Sequence, residues 1–289
     1  MSKTNHNINM FLDFEYIWNK NCIYSLIPIY PNMKKGIVFI LFILLTSFDA
    51  QKEDAFDSGE WFKFRVHYGL INAGYATLEV QEAVRNNKKV FHVIGKGYTT
   101  GMSRFFFKVD DLYESYFDKA TGNPYQFIRK IDEGGYTKNQ EGFFNQGTDH
   151  VLVKDYESKT EKTFAIPNNT QDIVSTFYYL RNHPNVDKLK VGESISIDMF
   201  FDEETTKFKL KFVGREDIDT KFGIIPTMIF RPLVQSGRVF KEKEGLTVWI
   251  SDDNNKLPIR IKAELAIGSI KADLDGFKGL KNSFTIKVK

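Results

Sequence analysis

The sequence predicts a mainly-β protein, an antiparallel sheet of roughly a dozen strands with one main helix. Three observations carry this reading. Residues 247–267 read TVWISDDNNKLPIRIKAELAI, two alternating runs around the polar turn Asp252-Asp253-Asn254-Asn255-Lys256, the composition that a hairpin requires. Shorter alternating segments recur along most of the chain, without the βαβ rhythm of a parallel sheet. Only one segment, around residues 172–181, has an apolar face at helical spacing.

In chain order, residues 60–68 form the first strand, with Phe62, Phe64, Val66 and Tyr68 on one side and Lys63, Arg65 and His67 on the other. Gly69, Asn72 and Gly74 supply turn or bulge positions before Ala76, Leu78 and Val80 resume the alternation. Asn86, Asn87 and Lys88 make the next turn, and 90–98 is a third strand. Strands are expected at 105–109, 112–118, 125–132, 136–145 and 150–157, punctuated by Thr121-Gly122-Asn123-Pro124 and Gly134-Gly135. The helix is expected to be capped by Asn169 or Thr170 and to carry Asp172 in its first turn. It buries Ile173, Val174, Phe177, Tyr178 and Leu180, and it ends at His183-Pro184. Further strands follow at 194–201, 207–213 and 224–232, then the hairpin, then 270–274. In 207–213 the row Lys207, Lys209, Lys211 reads as a solvated face, with an anionic lipid or glycan as the alternative. Within the hairpin Val248 and Ile250 point one way and Trp249 the other, while Ile259, Ile261, Ala263, Leu265 and Ile267 share one face.

Targeting is written in residues 33–50. Met33, Lys34 and Lys35 precede 13 uncharged residues, Gly36 to Phe48, and the run closes at Ala50 before Gln51, Lys52 and Glu53. That is the layout of a secretory signal peptide, cut after Ala50, and too short for a comfortable membrane span. An uncleaved anchor is the alternative. Residues 1–32 are expected to be an upstream mis-start extension with Met33 the true start, the rival being a cytoplasmic extension; 51–289 is expected to be a single β domain. Cys22, the sole cysteine, falls in the extension, so the exported chain is expected to lack disulfides, thiolate metal sites and a lipoprotein anchor. Without residues 1–50, 36 basic side chains face 34 acidic ones. Such a balance carries no footprint for nucleic acid. A periplasmic or otherwise exported, soluble bacterial protein with no stable span after signal removal is the expectation.

Catalytic signatures are missing. There is no G-x-S-x-G, His67, His92, His150 and His183 are scattered, and no H-E-x-x-H or paired metal spacing occurs. Gly95-Lys96-Gly97-Tyr98-Thr99-Thr100-Gly101 lacks the third glycine of a dinucleotide loop. The adjacent carboxylates Asp110-Asp111, Asp202-Glu203-Glu204 and Asp252-Asp253 are explained by turn chemistry. No enzyme, cofactor or metal is therefore expected.

Three segments in order, Phe64-Arg65-Val66-His67-Tyr68-Gly69 through Gly74, Asp172-Ile173-Val174-Ser175-Thr176-Phe177-Tyr178-Tyr179-Leu180-Arg181, and Val248-Trp249-Ile250-Ser251-Asp252-Asp253 with Leu257-Pro258-Ile259-Arg260, resemble the DUF3108 family of bacterial exported proteins of unknown function. The late hairpin is also similar, more loosely, to one in the LolA and LolB lipoprotein carriers. That likeness implies a curved antiparallel sheet or half-open β-barrel, LolA-like or lipocalin-like, enclosing an apolar cavity. The implied role is a binding or envelope-maintenance protein for a lipid or other apolar ligand, with Trp249, Phe177 and Tyr178 as candidate lining residues. The competing expectation is a structural protein that docks an envelope partner through sheet edges or an aromatic patch.

Overall fold

The computed structural model describes residues 54–85, 87–234 and 245–287. The expected signal peptide, the extension before it and Cys22 lie outside the described residues. Two antiparallel meanders make up the fold. The first comprises β1 (Trp61–Tyr68), β2 (Ile71–Arg85), β3 (Lys88–Thr99), β4 (Asp110–Asp118), β5 (Pro124–Glu133), β6 (Tyr136–Asn145), β7 (His150–Asp155) and β8 (Thr160–Ala165). The second comprises β9 (Ser194–Phe201), β10 (Glu204–Thr220), β11 (Gly223–Val234), β12 (Leu246–Ser251), β13 (Pro258–Glu264) and β14 (Ser269–Lys278). Pairing of β1 with β14 joins them into one 14-stranded sheet whose outermost strands are β8 and β9. A short helix, α1 (Gly101–Phe106), links β3 to β4, and α2 (Ile173–Arg181) lies on the connection between the meanders.

Register follows from period-two burial. Phe62 and Phe64 of β1 stand opposite Leu78 and Ala76 of β2, and Phe64 stands opposite Leu274 of β14. One apolar face therefore runs across the strand boundaries, and the sheet curls around it. Helix α2 sits on that face and touches three clusters at once. Val174 and Tyr178 join Phe56, Phe91 and Phe117; Phe177 reaches Phe62; Leu180 packs with Phe212, Met228, Phe230 and Ile250. The far end of the β10–β11 hairpin (Ile218, Phe222, Ile225) and the C-terminal Phe284 close over Phe62, Phe64 and Leu274.

The sheet is not closed by strand pairing, yet its two ends meet. Phe200 of β9 packs against Phe164 of β8 at 5.6 Å between ring centroids, and also against Phe144 and Phe127. Lys162 of β8 bridges to Glu203 at 2.9 Å, and Asp202 receives Arg129 and Lys138 at 2.5 and 2.9 Å. The free edge of β9 is partly occupied as well, because the Gln171 amide donates to Asp198 and its carbonyl accepts from the Phe200 amide. This is the half-open β-barrel with one main helix that the sequence led us to expect.

Four details differ from the sequence reading. Residues 105–109 are not a strand: Gly101–Phe106 coil into α1, and Val109 makes an isolated bridge with Glu133 before β4 begins at Asp110. Asp172, rather than Asn169 or Thr170, caps α2; its Oδ1 accepts from the Val174 and Ser175 amides at 2.8 Å, and its own amide donates to Ser175 Oγ. The preceding Asn168-Asn169 form a turn, with Asn169 at φ 61°, and Gln171 then pairs with β9, so the helix starts after Asp172. The bulge expected around Asn72 and Gly74 is present inside β2, where Val66 pairs with Gly74 and His67 with Asn72, and a side chain on Gly74 would meet the Tyr98 carbonyl oxygen at 2.1 Å. Strand β8 was not anticipated, and β13 stops at Glu264, leaving Leu265 and Ile267 exposed in a turn.

Candidate functional site

Between α2 and the inner face of the second meander lies an apolar cavity of about 320 Å³. Its helical wall is Ile173, Thr176, Phe177 and Leu180, positions that helical spacing places on one side of α2. The opposite wall comes from five strands, β9 to β13, including Met199, Leu210, Phe230, Val248 and Ile261, and on β10, β11 and β12 the lining residues alternate, so the period-two alternation that makes the sheet also makes the lining. Such a volume lies at the low end for a small-molecule site, and its chemistry suits a flexible hydrocarbon.

Only two of the fifteen lining residues are polar, Thr176 and Arg181. The Arg181 charge is already committed. Its Nη1 and Nη2 donate to the two Glu60 carboxylate oxygens at 2.6 and 2.7 Å, and Nε and Nη2 reach the Asn255 carbonyl at 3.0 and 2.8 Å. Burial alone works against that charge, but the Glu60 carboxylate outweighs it and holds the guanidinium pKa above its usual value. Glu60 and Arg181 are 0% and 2% exposed, so the pair is an internal brace between α2, β1 and the β12–β13 turn. Thr176 is 4% exposed and its Oγ1 has no hydrogen-bond partner.

Other polar groupings lie elsewhere. A polar hollow of about 370 Å³ is bordered by Lys221, Arg260, Asp273 and Asp275. Lys221 pairs there with Asp275 and Arg260 with Asp273, and Arg65 and Asp219 also line it. His67 Nδ1 donates to the Gly69 carbonyl at 2.7 Å and its Nε2 lies 2.8 Å from an Asp273 carboxylate oxygen, and His92 meets Glu114 at 2.6 Å while stacking on Tyr116. Asp110 and Asp111 open β4 rather than forming a turn. Burial, followed by a hydrogen bond with Glu133, raises the Asp111 carboxyl to about 7. Among the described residues no group of three metal-ligating side chains comes together.

The model of the family described as protein of unknown function DUF3108 matches residues 63–275. The chain belongs to the DUF3108 family. Among solved structures, this DUF3108 protein is similar to the beta-barrel-like protein of domain of unknown function DUF1849 from Brucella abortus. There the TM-score is 0.53 at 8% identity, over 77% of this chain and 98% of that one. A provisionally assigned lipoprotein from Parabacteroides distasonis (TM-score 0.31, 12% identity, 78% and 98% covered) and a provisionally assigned exported protein with a YmcC-like fold from Bacteroides fragilis (0.28, 9%, 77% and 97%) resemble it more distantly. No curated protein matches the chain.

Of the three residues suggested by the sequence, Phe177 lines the cavity of this DUF3108 protein. Tyr178 turns to the other side of α2, fully buried among Phe56 and Phe117, and burial pushes its hydroxyl pKa well above the ordinary value. Trp249 lies on the opposite face of β12 from Val248 and Ile250, against the Ile218–Ile225 cluster, with its indole N–H on Glu216. The sequence did place Trp249 opposite its neighbours, and that alternation identifies Val248 and Ile250 as the lining residues. Thr176 and the Glu60–Arg181 brace carried no sequence signal, since nothing in a local pattern shows that residues 121 positions apart will meet.

Proposed function

We propose that this DUF3108 protein is a non-catalytic binding protein of the bacterial periplasm or envelope that holds a lipid or other apolar ligand between α2 and strands β9–β13. The observation that carries this is the 320 Å³ cavity, whose lining is apolar apart from Thr176 and the neutralised Arg181. Burying hydrocarbon against such walls is favourable by about 25 cal/mol per Å². Export is supported by the signal-like run at residues 33–50. The brace of Glu60 on Arg181 leaves no free cation there, so the portion of the ligand inside is uncharged.

Docking of a partner along sheet edges has less room. Gln171 already occupies part of the β9 edge, and β8 is only six residues long. Native mass spectrometry of detergent-free protein tests the carrier reading. Co-purifying lipid is expected in the parent and should be lost in Val248→Phe, which fills the cavity from β12. A parent that shows only its own mass, after incubation with acyl lipids as well as on purification, would remove the reading.

A further inference from the structure

Exposed apolar side chains gather at one end of the sheet. In an antiparallel meander alternate connections emerge at the same end. The β1–β2, β3–β4 and β13–β14 connections therefore share an end, and they carry Leu70, Met102, Phe105, Phe106 and Ile267, which are 71% to 101% exposed. These connections are tied into one platform. The Thr100 amide donates to the Ala73 carbonyl at 3.1 Å and Ser103 Oγ to the Asn72 carbonyl at 3.2 Å, fastening α1 to β2. Tyr68 Oη donates to the Ile267 carbonyl at 2.9 Å, fastening the β13–β14 turn to β1. A cluster of fully exposed phenylalanines on a fixed support is a contact surface that water alone does not explain.

The chemistry of the platform selects its occupant. Arg104 is held bidentately by Asp110 at 2.8 and 2.6 Å, and Lys108 is held by Asp132. The charges beside the aromatic residues cancel, so nothing there recruits an acidic peptide or a polyanion. The residues project from turns and a one-and-a-half-turn helix, not from a strand edge or a groove, so neither strand addition nor capture of a helix fits. Convex, neutral and aromatic, the platform matches the boundary between headgroups and acyl chains. We infer that this end of the sheet docks on a lipid bilayer, with Leu70, Phe105, Phe106 and Ile267 entering below the headgroups. Pro232 and Leu246 of the cavity wall lie near the last residues of β11 and the first of β12, at this same end. The docking itself does not depend on the cavity being loaded.

Residues 36–48 are themselves apolar, so the test uses a local reporter in the full chain. Phe105→Trp replaces an exposed ring without disturbing the core, and Val84→Trp places the same reporter at the opposite end, where Val84 is 59% exposed. With neutral phosphatidylcholine vesicles brominated on the acyl chains, the Phe105→Trp emission, after subtraction of the parent signal, should shift to shorter wavelength and be quenched. The shift should be the same from about 50 mM to about 500 mM salt, because no net charge drives it. Val84→Trp should stay unquenched. The inference is overturned if Phe105→Trp is not quenched, if it responds only to anionic vesicles at low salt, if both reporters respond alike, or if it changes only when an envelope protein extract is added.

Discussion

Replacing Glu60 by Gln should be among the most damaging single changes outside the aromatic core. Glu60 is 0% exposed and Arg181 2% exposed, and the two are joined by parallel hydrogen bonds of 2.6 and 2.7 Å. Glutamine keeps the size and one acceptor oxygen but removes the charge, leaving the buried guanidinium with neutral carbonyls, those of Asn255 and Ala55 among them, and no carboxylate. Breaking a buried pair from one side costs about 3–5 kcal/mol. With a urea dependence of about 3 kcal/mol per molar, the unfolding midpoint should fall by roughly 1 to 1.7 M. Because Arg181 ends α2, the same variant should also hold apolar ligand less well. Arg181→Met alone strands Glu60, whereas the double variant Glu60→Gln/Arg181→Met strands neither charge, so the cost of the double should be smaller than the sum of the singles by at least about 2 kcal/mol. Urea titrations of the four proteins measure this directly. Additive costs, or a Glu60→Gln penalty below about 1 kcal/mol, would show that the pair is not the brace described here.

Two further predictions concern backbone and pH. Burial raises the Asp172 carboxyl to about 6 from its ordinary 3.8, although Ser115 and the α2 amides bond its ionised form. Between about pH 4 and pH 6 the fold then retains a proton that the unfolded chain has released, so stability should fall as pH rises through that window, by about 3 kcal/mol in all. Asp172→Asn keeps an acceptor for the Val174 and Ser175 amides and should reduce the slope in thermal melts taken from pH 4 to 6, leaving the part that Asp111 contributes; an unchanged slope would assign it to another group. Gly74→Ala should destabilise by about 2 kcal/mol or more, since its Cβ would meet the Tyr98 carbonyl oxygen at 2.1 Å and the β2–β3 pair would have to separate. A melt within about 0.5 kcal/mol of the parent would show that this stretch of backbone yields freely.

Strands with one wet face were legible because alternation is a local property. Phe62 and Phe64 against Lys63 and Arg65, or Ile259 and Ile261 against Arg260, reveal both element and burial without a partner in view. Strand β8 was invisible because Thr160, Glu161, Lys162 and Thr163 are all exposed at the edge of the sheet and nothing apolar marks a face. Residues 105–107 misled for the opposite reason. Three consecutive phenylalanines have strand propensity, but Gly101–Phe106 coil into α1, and the three rings end in solvent. Of the candidate site, the helix and Phe177 could be read, because an apolar helix in a one-sided sheet has to lie on the greasy face. The cavity could not, since a void is a difference between the volumes of residues far apart in sequence.

Why the void falls on one side of α2 follows from how the helix is held. On the side of the first meander, Phe56, Phe91, Phe117 and Tyr178 interlock with ring centroids 4.6 to 6.3 Å apart, and the Glu60–Arg181 pair draws the end of α2 toward β1. Toward β12 and β13 the facing residues are the smaller Leu246, Val248 and Ile261, which do not reach across to Ile173 and Thr176. The 320 Å³ left between them is partly open and walled almost wholly by apolar side chains, and covering such surface is favourable by about 25 cal/mol per Å². Water is a poor filler, because an ordered molecule needs two to four polar partners and the walls offer one unpartnered oxygen, Thr176 Oγ1. A hydrocarbon guest would cover those walls where water cannot bond to them, and the binding proposal rests on that packing of α2.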